Sequence, residues 1–418
     1  MPQAAGLPEY LSMQNATRLN GWGLGLGRAA SCCADQILEI TLIWVVWQAT
    51  HSSTYTGLAA FAQRAPFWIL GFVGAGYVDR VGAVRMLRYL NGLAIVVALI
   101  GVTLVEWVGR EALIIAAVSF LIGIARSMEA PALTTLVPSF SGVWSTQGLN
   151  NLLDNSKRLG RLAAPVPALL LGTIPPHLLL GTACFGYLVM NLVAGALSQE
   201  KEKKKRKMPA PHLFAQSLLG EGFFDSVKRI YLAGQLGLVL GASAIYAMLH
   251  GAAYFSIMPR VLLTQNNGAV GSYASIISAF ALGGILSNLL ISRIAVTRYA
   301  TVVALGMLAA GLAFLLIGQV EGMLLLWGLG FIGGMSLPFQ DVFITCLIQR
   351  DAPKEMLARA HAVWRLGCEA GIGLGMLLGG LAADAIDGSW LLILIGVGIA
   401  LVALFIFIQD FKVSNRTL

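Results

Sequence analysis

Charge is scarce in this chain. Of its 418 residues only 11% are Asp, Glu, Lys or Arg, while 57% are apolar; a soluble domain carries about 25% charged residues. A soluble fold of this size could not cover its core with so few charges, and disorder, collagen and coiled coil are excluded on the same figures. Cysteine is also sparse: Cys32, Cys33, Cys184, Cys346 and Cys368, all in apolar stretches. An odd number so placed makes no disulfide framework, and these residues read as small core hydrophobes. The five histidines, His51, His177, His212, His250 and His361, are dispersed and lack metal-ligand spacing. His250 and His361 fit either a cavity wall or a core and helix-end position. There is no G-x-x-x-x-G-K-[ST] phosphate loop, so direct drive by ATP is excluded. Neither a metal nor another cofactor is expected, and no residue pattern supports an enzyme.

Long apolar runs take the place of charge. They occur near residues 19–47, 56–78, 89–107, 112–136, 147–173, 177–198, 230–261, 269–292, 299–319, 322–348, 356–382 and 388–409. A helix crosses the bilayer in about 20 residues. In lipid only helices or a closed barrel satisfy the backbone, and runs this long and non-alternating are helices. The expected fold class is an all-α polytopic membrane protein with twelve transmembrane helices. Because the first run continues as a full-length span, no cleavable signal peptide is expected.

Lys and Arg set the orientation. With the amino terminus in the cytoplasm, the inner loops and tails hold Arg18, Arg80, Arg85, Arg88, the run from Lys201 to Lys207, Lys228, Arg229, Arg293 and Arg298. They also hold Arg350, Lys354, Arg359, Lys412 and Arg416, against Arg110 and Arg260 outside. Both termini are therefore expected inside, in a cytoplasmic (inner) membrane. The net charge of +8 follows from this arrangement, and no nucleic acid is needed as a partner. The stretch EKEKKKRKMPAP divides the chain into an amino-terminal six-helix bundle (1–198), a cytoplasmic basic linker (199–228) and a carboxy-terminal six-helix bundle (229–418). The linker can also touch anionic lipid. Trp44, Trp47, Trp107 and Trp390, near span ends, are expected in an interfacial belt.

The two halves repeat each other. A shift of 207 residues brings Gly123 onto Gly330, Met128 onto Met335, Pro131 onto Pro338, Arg158-Leu159-Gly160 onto Arg365-Leu366-Gly367 and Leu170-Leu171-Gly172 onto Leu377-Leu378-Gly379. A shift of 212 aligns Leu24-Gly25-Leu26 with Leu236-Gly237-Leu238 and Ala30-Ser31 with Ala242-Ser243. Parallel six-helix repeats about an axis along the membrane normal imply a central site between halves that rock.

The loop Ala75-Gly76-Tyr77-Val78-Asp79-Arg80-Val81-Gly82, followed by Arg85, resembles the G-x-x-x-D-R-x-G-R-K signature of the major facilitator superfamily, with Ala75 at the first Gly. The resemblance implies that Asp79, Arg80, Gly82 and Arg85 form a cytoplasmic latch, the acid facing a helix amino terminus of the other half. Ser31–Trp47, with Ala34-Asp35 and Glu39, is similar to the first helix of the macrolide and siderophore (enterobactin-exporter-like) efflux branch. Gly160, Ala164 and Pro165 resemble its fifth-helix antiporter signature G-x-x-x-G-P, with Ala164 at the second Gly. The region from Gln349 to Gly380 resembles that branch as well. In this superfamily helices one, four, seven and ten line the cavity, and the likeness runs over nearly the whole chain.

Ionisable groups at bilayer depth cost at least about 2.5–3.5 kcal/mol each, so each is a functional candidate. Span one carries Arg28, Asp35 and Glu39, spaced to share one helical face. Span four carries Arg126 and Glu129, span five Asp154, Lys157, Arg158 and Arg161, and span eleven Arg365 and Glu369; Arg64 and Asp341 complete the set. Pairing of Asp154 with Arg158, Arg365 with Glu369 and Arg126 with Glu129 would make neutral packing networks. Two carboxylates four residues apart in a low dielectric do not both ionise easily. Asp35 is therefore expected to carry protons, with Glu39 as runner-up, Arg126 as electrostatic switch and Glu129 beside it. Arg28, Arg64, Asp154, Arg158, Asp341, Arg365 and Glu369 are candidates for a substrate cavity. Pro131, Pro165, Pro167 and Pro338, with Gly371, Gly373, Gly375, Gly379 and Gly380, serve either bending or tight helix contact.

The expected activity is secondary transport by alternating access, working as a monomer: proton-coupled efflux of a small amphipathic molecule, a siderophore first and an antibiotic or drug next. The surplus of intramembrane bases over acids leans toward an anionic or polyhydroxylated cargo. Three alternatives stand: a solute:proton symporter importing a siderophore or nutrient, a lysolipid flippase of the same fold, and a non-transporting sensor or scaffold.

Overall fold

A computed structural model of the chain describes residues 7–107, 112–140, 144–164, 175–201, 228, 234–265, 270–291, 293, 296, 298–320, 322–352 and 357–414. The first half contains α1 (Leu7–Thr50), α2 (Ser53–Val81), α3 (Ala83–Trp107), α4 (Ala112–Ser127), α5 (Glu129–Leu136), α6 (Thr146–Ala163) and α7 (Pro176–Lys201). The second contains α8 (Gly234–Gly251), α9 (Met258–Gln265), α10 (Val270–Ile291), α11 (Tyr299–Ile317), α12 (Met323–Asp351), α13 (Leu357–Ala385) and α14 (Gly388–Ser414). Every apolar run singled out in the sequence holds at least one of these helices. Among the described residues ten helical segments are long and apolar enough to cross a membrane. The Thr146–Ala163 helix is not one of them, because Asp154, Lys157, Arg158 and Arg161 all lie within it.

Local chemistry explains the turns and breaks. Between α1 and α2, His51 adopts a left-handed φ of 48° and Ser52 caps α2 in an extended conformation. Gly82, at φ 90°, supplies the positive φ that joins α2 to α3. Span four breaks at Met128, and α5 restarts with Glu129 in its first turn, where a carboxylate suits the helix dipole. Pro131 follows in the same turn, where a missing N–H costs little. Span seven contains a feature the sequence did not announce: a π-helical turn, Ala252–Ile257, joins α8 to α9.

The internal repeat reappears as packing. In the first half α3 packs on α7, α2 on α4 and α1 on α6; in the second, α11 packs on α14, α10 on α12 and α8 on α13. These are the equivalent pairs of the two halves. The halves meet through α2 with α13 and through α6 with α10, which are again equivalent pairs. Glycines set the closest approaches. A Cβ on Gly375 would lie 1.9 Å from Met248 O, one on Gly334 1.9 Å from Phe280 O, and one on Gly380 2.4 Å from Ser53 O. The α13 glycines thus serve tight contact with α8 and α2.

The outer surface carries large apolar residues such as Leu324, Phe185, Trp390 and Leu401, as a lipid-facing surface requires. Trp390 is exposed among them, but Trp44 and Trp47 are buried in the core and join no interfacial belt. The side chain of Trp107 lies outside the described residues, as does most of the 199–228 linker.

Candidate functional site

A cavity of about 240 Å³ lies between the halves. Its walls come from α1 (Gln36, Glu39), α2 (Arg64), α6 (Lys157, Arg158, Arg161), α8 with its π turn (His250, Tyr254, Phe255), α10 (Phe280, Gly284), α12 (Gly334, Asp341) and α13 (Trp364, Arg365, Cys368, Glu369). The repeat is legible here at single-residue level. Lys157, Arg158 and Arg161 stand 207 positions before Trp364, Arg365 and Cys368, and all six line the cavity.

Span four does not line it. Arg126 and Glu129 turn instead into a buried ion network inside the first half. Arg126 Nε lies 2.6 Å from Asp35 Oδ1, an ion pair by distance although its N–H does not point at the oxygen. Arg126 also pairs with Glu129, and Glu129 in turn accepts from Arg28 and, at 3.1 Å, from Ser31. The Tyr187 hydroxyl donates to Asp35 Oδ1 at 2.8 Å, and the Arg126 guanidinium lies 5.3 Å from the centre of the Tyr187 ring. Asn91 Oδ1 accepts from Arg126 at 3.4 Å. Two bases thus balance two acids. The acids differ in access: the Asp35 side chain is 28% exposed and that of Glu129 only 3%.

The cavity charges are arranged differently from the sequence expectation. Arg64 lies 3.9 Å from both Glu39 and Glu369, bridging α2 to α1 and to α13 across the two halves. Glu369 is therefore engaged with Arg64, while Arg365 lies 5.9 Å from the Trp364 ring centre. Arg158 pairs with Asp154 at 3.0 Å, and the Asn288 amide of α10 packs against this pair from the other half. Two expected cavity residues lie elsewhere: Arg28 is drawn to Glu129, and Asp154 sits behind Arg158. Arg28, Asp35 and Glu39 do not act as one face, since Glu39 joins Arg64 while the other two join the network.

His250 lies on the cavity wall, stacked on Tyr254 at 5.5 Å with its Nδ1 3.2 Å from the Tyr246 hydroxyl. The π turn follows immediately and places Tyr254 and Phe255 on the same wall. Such turns within α-helices recur at functional sites. Sequence reasoning missed Gln36, Tyr187, Tyr254 and Trp364; a Tyr in an apolar span that must find a partner for its hydroxyl was the one available signal.

The signature motifs are partly visible. Gly82 ends α2 and Arg85 is exposed on α3, while the side chains of Asp79 and Arg80 lie outside the described residues. A Cβ on Gly160 would lie 2.1 Å from Ala29 O, so this glycine lets α6 approach α1. Ala164 is buried with its N–H on Gly160 O, and Pro165 lies outside the described residues. At the end of the bundle carrying Ser52, Asp384 of α13 accepts from Ser52 Oγ at 2.5 Å, Ser53 N at 2.6 Å and Thr54 N at 3.0 Å, and lies 3.6 Å from Arg260. One half thus caps a helix of the other.

No family model matches this chain, and no curated protein matches it. Solved structures do. The nucleoside transporter NupG is 14% identical with a TM-score of 0.72, over 94% of this chain and 99% of its own. A peptide transporter of the POT family in complex with sulfate is 15% identical with a TM-score of 0.69, over 95% and 94%. A bacterial homologue of the human lysosomal transporter Spinster, inward-facing and unoccupied, is 15% identical with a TM-score of 0.66, over 94% and 97%. The chain has the major facilitator fold. At such identities the likeness reaches the architecture and stops short of the cargo.

Proposed function

We propose that the protein is a secondary active transporter that exchanges protons for a small amphipathic molecule by alternating access. Asp35 is the titrating group, and the central cavity is the cargo site. The observation that carries this reading is the inequality of the two acids sharing Arg126. Glu129 is sealed and held by two guanidinium groups and Ser31, whereas Asp35 keeps part of its side chain accessible. When Asp35 takes a proton, Arg126 retains Glu129 and Asn91 as partners. Protonation of Asp35 thus takes the network from neutral to +1 with both guanidinium groups still on Glu129, a change of charge by which a proton can bias the two states.

In the exporting direction the cycle runs as follows. Facing the cytoplasm, Asp35 gives up its proton while cargo enters the cavity. The halves rock about the α2–α13 and α6–α10 contacts. An outside proton then reaches Asp35, and cargo leaves. A proton-motive force of 100 mV supplies about 2.3 kcal/mol per charge, enough for roughly 50-fold accumulation. The motif resemblances favour export and a siderophore as first cargo, with an antibiotic or drug next. The Lys and Arg bias favours both termini in the cytoplasm and the apolar runs favour twelve spans, in a monomer of the inner membrane.

The test is Asp35→Asn in inverted vesicles. Proton-driven uptake of cargo is expected to fall at least tenfold while exchange of cargo for cargo persists. Undiminished proton-driven transport would end the proposal. The same assay in right-side-out vesicles reports direction.

A further inference from the structure

The charges on the cavity wall do not cancel locally. Arg64 is shared by Glu39 and Glu369, and Arg158 is held by Asp154. Among the described residues no carboxylate comes within the 4.0 Å of an ion pair to Lys157, Arg161 or Arg365, and Asp341 is the lining acid similarly left over. Counted together, five lining bases (Arg64, Lys157, Arg158, Arg161 and Arg365) stand against the lining acids Glu39, Asp341 and Glu369 and the Asp154 that pairs with Arg158, a surplus of one positive charge. Cations at membrane depth are costly unless something answers them. The bases come from both sides of the cavity: Lys157 and Arg161 from α6 of the first half, Arg365 from α13 of the second.

A second, independent observation points the same way. Gln36 and Trp364 are 7% and 6% exposed, and both line the cavity. Gln36 Nε2 and Trp364 Nε1 make no hydrogen bond of good geometry in the protein, Gln36 lying toward Glu39 and Trp364 toward Cys368. Buried N–H donors are normally satisfied, and what these two lack is a well-placed acceptor oxygen. Again one donor comes from each half. The rest of the wall is mainly apolar, with the rings of Tyr254, Phe255, Phe280 and Trp364 among aliphatic residues such as Ile277 and Leu337. At about 240 Å³ the space is smaller than the roughly 300–1,000 Å³ of drug-sized sites.

We infer that the cavity takes a compact aromatic anion whose acidic oxygens are shared between Lys157 and Arg161 on one half and Arg365 on the other. Gln36 and Trp364 donate to the remaining oxygens, and the ring lies against the rings of the wall. This rests on the reading of the cavity as the cargo site and narrows it: lipophilic cations are excluded, and an anion gripped from both halves draws them together around it.

The experiment is binding to the purified protein in lipid nanodiscs, with no gradient present. Benzoate and phthalate serve as probes against benzylammonium and benzyl alcohol of similar size, read by calorimetry and thermal shift. Phthalate is expected to bind more tightly than benzoate, with affinity falling as salt rises. Arg365→Gln and Lys157→Gln should each weaken it at least tenfold, Arg365→Lys should retain most of the affinity, and Asp341→Asn should strengthen it. Four outcomes overturn the inference: equal or tighter binding of benzylammonium or benzyl alcohol, unchanged affinity in both glutamine variants, weakening by Asp341→Asn, or no anion binding up to about 10 mM, the weak end of measurable affinity. The two readings fail separately. Anion binding that survives loss of proton-driven transport leaves this site standing. Proton-driven transport without anion binding leaves only the proton scheme.

Discussion

Asp384 joins the two halves at the end of the bundle carrying Ser52, and its removal should loosen that end by a calculable factor. Its carboxylate sits at the last turn of α13 and accepts from Ser52 Oγ, Ser53 N and Thr54 N at the start of α2. Ser53 and Thr54 are among the first residues of a helix, whose N–H groups have no intrahelical partner. A capping side chain contributes about 0.5–2 kcal/mol, and a negative charge on the helix dipole adds roughly 0.3–1 kcal/mol. The Asp384 side chain is 31% exposed, so its 3.6 Å pair with Arg260 adds little. The contact exists only when α2 and α13 are together at this end. Its loss in Asp384→Ala should therefore shift the closed–open equilibrium by about 1–2.5 kcal/mol, or roughly 5- to 70-fold. Asp384→Asn, which keeps one acceptor oxygen, should give a smaller shift. Cys368 on the cavity wall is a natural reporter. In a chain in which Cys32, Cys33, Cys184 and Cys346 are replaced by alanine, an impermeant maleimide added from the Ser52 side should label Cys368 faster in Asp384→Ala by a factor in that range. An unchanged rate, or acceleration from the opposite side instead, would refute the reasoning.

Two further outcomes follow from burial. Arg126→Gln strands Asp35 and half-strands Glu129, so it should lower stability by about 3–5 kcal/mol in a thermal or denaturant titration. Arg158→Gln breaks a pair whose acid is 45% exposed and should cost no more than about 1 kcal/mol; equal losses would show that the network is not what holds the first half. Gly334→Ala places a methyl group 1.9 Å from the Phe280 carbonyl oxygen, a backbone atom that cannot step aside, and should destabilise by at least about 1–3 kcal/mol. Gly181→Ala, in the interior of α7 with open space around it, should be neutral or stabilising by up to about 1 kcal/mol, as the same assay can show.

Much of the fold was legible because the bilayer enforces it. Runs such as 299–319 and 388–409 can only be helices in lipid, and the structure places α11 and α14 there. The repeat was legible because Arg-Leu-Gly at one offset is not a chance pairing of apolar letters. The site was only half legible. Spacing along a helix gives the Asp154–Arg158 pair, yet it cannot see across helices, and it therefore misassigned Glu369 to Arg365 when Arg64 of α2 is its partner. Trp44 and Trp47 were misplaced for a related reason: nearness to a span end says nothing about which side of the helix faces lipid. The π turn in span seven is not marked by its own letters, because Ala252–Ile257 is as apolar as the helix before it; Pro259 and Arg260 come only in the helix that follows.

The places where the repeat is broken are as informative as those where it holds. Carrying the offsets across, Asp35 and Glu39 fall on Ala247 and Gly251, and Arg126 and Glu129 fall on Gly333 and Ser336. The buried ion network therefore has no counterpart in the second half, where the equivalent helices pack through small residues: Gly251 against Ile372 and Gly333 against Phe280. The second half instead sets on the cavity wall His250, from between the equivalents of the charged positions, and Tyr254 and Phe255, from within the π turn. A scaffold duplicated for rocking needs both halves alike; a charge that is loaded and unloaded needs only one. The α6 and α13 positions that the offset keeps in register, Arg158 and Arg365, both line the cavity, one from each half. The offset thus keeps charge on the cavity wall and drops it from the buried network. Moving the network should therefore be harmful even if charge is conserved: Asp35→Ala combined with Ala247→Asp puts the acid against α13 at Gly371, away from Arg126, and should abolish coupling while the cavity itself still binds.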